Sequence, residues 1–270
     1  MSTKFLAAAV QLNSSEDKHA CRQRATQLVE QAAGQGAQLV ALPEMFNCLG
    51  RFSRIVAAAE SIPGPTSDAL GQLAARLGIT LLAGTIAEQA DEPGRAYNTS
   101  LLFSPDGRIL ARYRKIHLFD VDLPGRVTVR ESQWIQAGDE TTTVATPLGN
   151  FGLSICYDLR FPELYRRLAE GQAEIIFVPS AFTKVTGRDH WEVLLRARAI
   201  ENQAYLIAPN QCGRHPPDLE TYGNSMIVDP WGTVLKRAAS DEDVIFAEID
   251  LQQLRKVRQQ LPALDHRRLA

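Results

Sequence analysis

Apolar residues along the chain gather into short runs, separated by longer stretches of mixed, helix-forming composition. "GAQLVALPEMF" (36–46), "ITLLAGT" (79–85), "QAEIIFVPSAF" (172–182) and "AYLIAPN" (204–210) each hold a strand-like apolar run. Between them, residues 17–33 read as a helix ending at Gly34. "SDALGQLAARLG" (67–78) is expected to open on a serine or aspartate cap and to close on glycine. "DHWEVLLRARAIENQ" (189–203) begins with Asp189 and carries Glu192 at capping-box spacing. Its stripe of Trp191, Leu194, Leu195, Arg198 and Asn202 follows helical spacing but turns polar at Arg198. A charge on such a stripe needs a partner, so an internal ion pair is expected there, with a direct substrate contact as the alternative.

The runs repeat. "GAQLVALPEMF" and "QAEIIFVPSAF" both end in a proline three residues before a phenylalanine. "NTSLLFSPDGRILARYRK" (98–115) and "GNSMIVDPWGTVLKR" (223–237) both read as hairpins, turned at Pro-Asp-Gly and Pro-Trp-Gly. The order of elements is the same in both halves, which predicts a pseudo-twofold domain. Two similar halves, each with a sheet and a helix layer, bury their sheets best face to face. The expected fold is α/β: a four-layer α-β-β-α sandwich, one domain over residues 1–270. "LPALDHRRLA" (261–270) reads as a C-terminal arm, with Leu261, Leu264 and Leu269 available to a partner subunit.

Composition narrows the function. The chain has 270 residues and a net charge of −2, so no nucleic-acid or membrane surface is expected. No apolar run approaches membrane-spanning length, and "MSTKFLAAAV" leaves no room for a signal peptide. Cys21, Cys48, Cys156 and Cys212 form no CxxC pair or metal spacing, which fits a reducing cytoplasm and no metal.

Four residues carry candidate chemistry. Cys156 stands in "GLSICYDLRFPE", after an apolar run and before a charged turn; alone it reads as a small buried hydrophobe or as a strand-end nucleophile. Glu44 follows "LVALP" at a strand end, Lys115 closes the first hairpin, and Glu131 lies in "VRESQWIQAGD". Each alone is compatible with a solvated surface charge. His117 and His190 qualify as bases only by residue type, and structural roles are expected for both. Together, cysteine, glutamate and lysine supply nucleophile, general acid/base and oxyanion electrophile with no cofactor. Strand ends from the two halves can bring Glu44 and Cys156 to one edge.

"LPEMFN", "YRKIHLFD" and "ICYDLRFPE", in that order, resemble the nitrilase superfamily of carbon–nitrogen hydrolases over essentially the whole chain. The resemblance implies the four-layer fold, a homodimer and a small-molecule amide substrate. It implies Glu44 as general base, Lys115 as oxyanion electrophile, Cys156 as nucleophile and Glu131 as the second glutamate. The backbone N–H of Tyr157 is the implied second oxyanion donor. Within the superfamily, "PSAFTKVTGRDHWEVLLRARAIENQ" and "YGNSMIVDPWG" look like the amidase branch. "NQCGRH" and "RFPE" resemble the deaminated glutathione amidases; "LPEMFN" and "KIHLFDVDLPG" are close to the ω-amidases. Arg160, Phe182 and Thr186 match positions that contact the shared 2-oxo acid head, and an arginine fork suits a carboxylate.

The stretch "NQCGRHPPDLETYG" reads as a solvated loop, with the alternative that it borders the leaving-group channel and that Arg214 or His215 meets a peptide carboxylate. Exchange of Lys115 for glutamine is expected to cost the fold little. Two other classes compete: a non-catalytic interaction module and a thiol redox protein. The intact Glu44, Lys115 and Cys156 set argues against the first, and the lack of a nearby resolving cysteine against the second.

Overall fold

The computed structural model describes residues 4–125 and 127–269; the arm's Ala270 and the first three residues of "MSTKFLAAAV" lie outside them. The first half runs β1 (Lys4–Gln11), α1 (Lys18–Gly34), β2 (Leu39–Ala41), α2 (Phe52–Ala57), α3 (Pro65–Leu77) and β3 (Thr80–Leu82). It continues through β4 (Ile86–Gln89), β5 (Ala96–Phe103) and β6 (Ile109–Arg114). A connecting segment holds β7 (Asp120–Leu123), β8 (Val127–Arg130) and β9 (Ile135–Gln136). The second half runs β10 (Thr142–Thr146), β11 (Gly149–Leu153), α4 (Pro162–Glu170), β12 (Ile175–Phe177), α5 (Lys184–Asn202) and β13 (Tyr205–Ala208). After it come β14 (Cys212–His215), β15 (Leu219–Tyr222), β16 (Met226–Val228), β17 (Val234–Arg237), β18 (Asp243–Asp250) and α6 (Leu251–Gln260).

The repeat expected from sequence is present in the strand order. One sheet runs β18-β1-β2-β3-β5, with β6 on β5; the other runs β10-β11-β12-β13-β16-β17. In each, three parallel strands are followed by an antiparallel hairpin, and the outermost strand pairs antiparallel with the first. Both hairpins turn on a glycine of positive φ, Gly107 and Gly232, each at 85°. The halves differ at both edges: β4 and β9 also pair with β5 in the first sheet, and β10 directly precedes β11, whereas β18 returns from the chain's end to flank β1 from Lys4↔Asp250 to Gln11↔Asp243.

The layers follow from the two-residue period of the strands. Ala8, Val10, Val40 and Leu81 pack with Leu28, Val29, Leu70 and Leu73 of α1 and α3. Their neighbours Phe5, Ala7, Ala9, Leu39, Ala41 and Leu82 face the other way, into a core shared with Phe151, Leu153, Ile175 and Phe177. Trp191, Leu195 and Ala199 of α5 and Leu164 and Leu168 of α4 close the second sheet. Strands covered on both faces explain why they read as unbroken apolar runs.

Two helix starts differ from expectation. α3 begins at Pro65, and Ser67 acts from inside the first turn, its hydroxyl accepting from Gly64 N at 2.8 Å. α5 begins at Lys184, five residues before Asp189, which therefore lies within the helix and not at its start. Arg198 has the ion pair expected of it: Nη1 lies 3.0 Å from Glu201, and Nε donates to Leu159 O.

Candidate active site

Glu44 lies three residues after β2, beyond Leu42 and Pro43, and Met45 behind it takes φ 51°. Its backbone carbonyl accepts from Gln211 Nε2 at 2.9 Å, and the same amide donates to the Ser14 hydroxyl at 2.8 Å. The side chain is buried and held by three donors. Oε1 accepts from Asn98 Nδ2 at 2.8 Å and Lys115 Nζ at 3.1 Å, and Oε2 accepts from Ala181 N at 2.7 Å. Ala181 belongs to the second half, so the carboxylate bridges the two halves of the sandwich.

Lys115 follows β6 directly, its N–H donating to Asn98 O at 2.9 Å. Only 2% of it is exposed, and Nζ reaches Glu131 Oε1 and Oε2 at 3.1 and 2.9 Å as well as Glu44. Burial alone would strip the Lys115 proton, but Glu131 and then Glu44 reverse this and hold the ammonium well above its ordinary pKa. Burial raises the Glu131 carboxyl, against the pull of Lys115. Phe119 N donates to Glu131 at 2.6 Å and fixes the carboxylate from its far side. None of these groups is the solvated surface charge that its own segment suggested.

Cys156 opens a short 3₁₀ turn, Cys156–Arg160, after β11. Its φ of 46° is unusual for a residue with a side chain. The strain is held from both sides. Cys156 N donates to Pro179 O at 3.0 Å, and Ile155 N donates to Asp158 Oδ2 at 2.8 Å. Asp158 is fully buried and also accepts from the Tyr113 hydroxyl at 2.7 Å and from His117 N and Nδ1–H at 3.1 and 2.8 Å. It therefore ties the nucleophile turn to β6 and to the segment carrying Lys115. Burial pushes the Cys156 thiol well up; Glu44, within hydrogen-bond reach, adds to the rise and Lys115 opposes it. The resting sulfur is a thiol with a carboxylate beside it. The N–H of Tyr157 has no partner among the described residues and is free to donate to a ligand.

Glu44, Lys115, Glu131, Cys156, Phe182 and Thr186 all line one cavity of about 580 Å³. Arg160 does not line it. Its guanidinium sits 5.7 Å from the Tyr157 ring centre and 5.3 Å from that of Phe182, with Nη1 3.2 Å from His190 Nδ1. The "NQCGRHPPDLETYG" stretch corrects the sequence expectation: it is the hairpin β14–β15, and Pro216, Pro217 and Asp218 of its turn, with Leu219 at the start of β15, line the cavity. Arg214 and His215 are not on that wall. His215 is buried, donating from Nδ1 to Ser14 O at 2.7 Å and accepting at Nε2 from Thr221 at 2.8 Å. Among the described residues no cluster of three His, Cys, Asp or Glu side chains can hold a metal ion, and no helix is long and apolar enough to cross a membrane.

Sequence reading missed Asn98, Asp158 and Gln211 as supports of the site. Asn98 left a signal, a polar amide inside the apolar strand "YNTSLLF". Gln211 left none, because its partners lie 167 and 197 residues away.

A buried Cys-Glu-Lys-Glu cluster bridging two repeated sheet-and-helix halves is a constellation for attacking a carbonyl or related carbon. The chain belongs to the carbon–nitrogen hydrolase family, which matches residues 6–259, and it is a hydrolase acting on carbon–nitrogen bonds other than peptide bonds. It is 47% identical over 266 residues to deaminated glutathione amidase of Synechocystis sp., covering 97% of this chain and 98% of that one. It is 41% identical over 268 residues to omega-amidase NIT2 of Mus musculus, covering 99% and 96%. Among solved structures, Nit3 of Saccharomyces cerevisiae, a member of branch 10 of the nitrilase superfamily, superposes with a TM-score of 0.88 at 37% identity, covering 98% and 97%.

Proposed function

We propose that the chain hydrolyses monoamides of 2-oxo-dicarboxylic acids through a thioester on Cys156. The preferred substrate is deaminated glutathione, cleaved to 2-oxoglutarate and cysteinylglycine. The observation that supports this most is the contact of Glu44 and Lys115 beside a thiol at the wall of an otherwise largely apolar cavity. Cys156 Sγ attacks the amide carbon while Glu44 takes the thiol proton. Lys115 and the Tyr157 N–H hold the oxyanion. The C–N bond then breaks, and Glu44 returns its proton to the leaving amine. Water, deprotonated by Glu44, attacks the thioester and frees the acid and the thiol. Glu131 keeps the ammonium protonated and aimed. Because the resting thiol is neutral, the proton moves with the attack and not before it.

Phe182 and Thr186 contact the 2-oxo acid head, and Arg160 acts behind the Phe182 ring, where its charge faces the aromatic cloud. The likeness to omega-amidase NIT2 supports a second reading, 2-oxoglutaramate with ammonia as leaving group. The ratio of kcat/KM for the two amides on purified protein decides between them, and a higher value for 2-oxoglutaramate selects the second. Mass spectrometry of enzyme quenched during turnover is expected to find the acyl group on Cys156; acyl-enzyme formation by Cys156→Ala would overturn the mechanism. The same reading makes the protein a cytoplasmic homodimer, consistent with four free, buried cysteines and with the exposed Leu261 and Leu269 of the arm. Light scattering at micromolar concentration tests the dimer.

A further inference from the structure

Among the described residues three cationic side chains line the cavity: Arg51, Lys115 and Arg130. Lys115 is committed to Glu44 and Glu131. Arg51 is committed to Glu16, whose two oxygens lie 3.2 and 3.0 Å from its Nη1. Arg130 is different. It ends β8, is exposed, and has no carboxylate within ion-pair distance among the described residues. Its one hydrogen bond, from Nη1 to the adjacent Val129 O, is long at 3.5 Å. Asp120 stands opposite it across the β7–β8 hairpin and feels its charge, which helps lower that carboxyl, but the two are not within ion-pair distance and the carboxylate also accepts from Ser132 N at 3.0 Å and its hydroxyl at 2.5 Å.

We infer that Arg130 is a specificity-determining residue that grips a carboxylate of the substrate. The inference rests on the amidase reading and adds to it the group that reads the anion on the cavity wall. A guanidinium fork matches a carboxylate at two points, and this one sacrifices no internal ion pair to do so. The wall around it is suited to a carbon chain: Val127 and Val129 of the same strand, with Phe119 and Trp134, also line the cavity. Arg130 also precedes Glu131, whose carboxylate orients Lys115. An anion seated on Arg130 is therefore held by the strand end that aims the ammonium, which fixes the amide relative to Cys156. The carboxylate can belong to the acyl half, present in both candidate amides, or to the leaving half, present only in deaminated glutathione.

Arg130→Gln and Arg130→Lys, assayed with 2-oxoglutaramate, deaminated glutathione and the neutral pentanamide, test this. The preference for anionic over neutral amide, as a ratio of kcat/KM, is expected to fall about tenfold in Arg130→Gln, mainly through KM, with partial recovery in Arg130→Lys. A fall for both anionic amides assigns the acyl-side carboxylate; a fall for deaminated glutathione alone assigns the leaving-group one. An unchanged preference overturns the inference. A second arm does not depend on turnover: calorimetric binding of glutarate to Cys156→Ala, with and without Arg130→Gln. Glutarate is expected to bind about tenfold more weakly to the double variant. Equal glutarate affinity for both proteins excludes the acyl-side assignment and, together with an unchanged preference for deaminated glutathione, overturns the inference, whereas loss on Arg130→Gln upholds it even if neither amide is hydrolysed.

Discussion

Replacing Lys115 with glutamine looks harmless when the residue is read as the exposed end of a hairpin, and the structure reverses that expectation. The ammonium is 2% exposed and lies 2.9–3.1 Å from oxygens of two carboxylates that are themselves about 95% buried. At an effective dielectric of about 20, each cation–carboxylate pair at this range is worth ~5 kcal/mol gross. Desolvation of the ammonium and repulsion between the two acids offset much of this, but the substitution keeps both acids buried and removes the one cation that pairs with them among the described residues. Breaking a buried pair in this way costs about 3–5 kcal/mol, a large part of a domain's ~5–15 kcal/mol of stability. Urea unfolding near neutrality is expected to give that difference. The pH dependence supplies a sharper check. In Lys115→Gln the cation that opposes the burial-driven rise of the Glu131 carboxyl is gone, so that carboxyl is held further above its ordinary range in the folded state than in wild type. A carboxyl raised by folding binds more protons in the folded state, so the folded variant gains stability relative to wild type as pH falls. The deficit is expected to be largest near neutrality and to shrink toward pH ~5. A deficit below ~0.5 kcal/mol near neutrality, or one that grows on acidification, would refute the electrostatic account of the site.

Glu44→Gln keeps most of its hydrogen bonds but cannot accept the thiol proton; single-turnover acylation is expected to slow by about 10²-fold or more. Asp158→Asn replaces an acceptor of four N–H and O–H groups with an amide that can satisfy only some of them. It is expected to lower stability by about 1–3 kcal/mol and kcat more than KM, read from denaturant midpoints and steady-state kinetics. Burial lowers the His215 pKa, so the folded state binds fewer protons than the unfolded chain. Its contribution is whole above pH ~6.5 and is lost as pH falls through the folded-state value. His215→Gln is therefore expected to flatten the decline of thermal midpoint with pH in that window.

How much of this was legible in the sequence depends on how far apart the interacting residues lie. The strands and both hairpins were legible because each rests on local chemistry: an apolar run, then a turn that sets a proline φ and relieves a glycine. The repeat was legible for the same reason, and it accounts for the sheet order from β1 to β6 and from β11 to β17. Helix starts were less so. Asp189 and Glu192 have capping-box spacing, yet the chain was already helical five residues earlier, because packing of Trp191, Leu195 and Ala199 on the second sheet outweighs a local cap. The three catalytic candidates were legible as a set through their motifs, but their burial was not. Nothing near Lys115 in sequence reveals that Glu44, 71 residues earlier, and Glu131, 16 later, enclose it.

The repeat also explains why the site is where it is. "LPEMF" and "VPSAF" occupy equivalent places in the two halves, so Glu44 and Ser180 follow equivalent strands. The symmetry is broken in what each position carries. In the first half the residue after the proline is an acid, and its carboxylate crosses to the backbone N–H of Ala181 at the matching end of the second half. In that half the residue after the proline is a serine that turns inward, donating to Val178 O at 3.0 Å, while Pro179 O holds the Cys156 turn. One copy of the strand end thus supplies Glu44, the proposed base, and the other supplies the frame that holds both Glu44 and Cys156. Lys115, at the end of the first half's hairpin, and Glu131, from the connecting segment between the halves, then complete the cluster. A site assembled at a pseudo-twofold seam is sensitive to any shift of one sheet against the other. That is why Asp158, Gln211 and Asn98, none of which needs to touch a substrate, belong to its chemistry as much as to its fold.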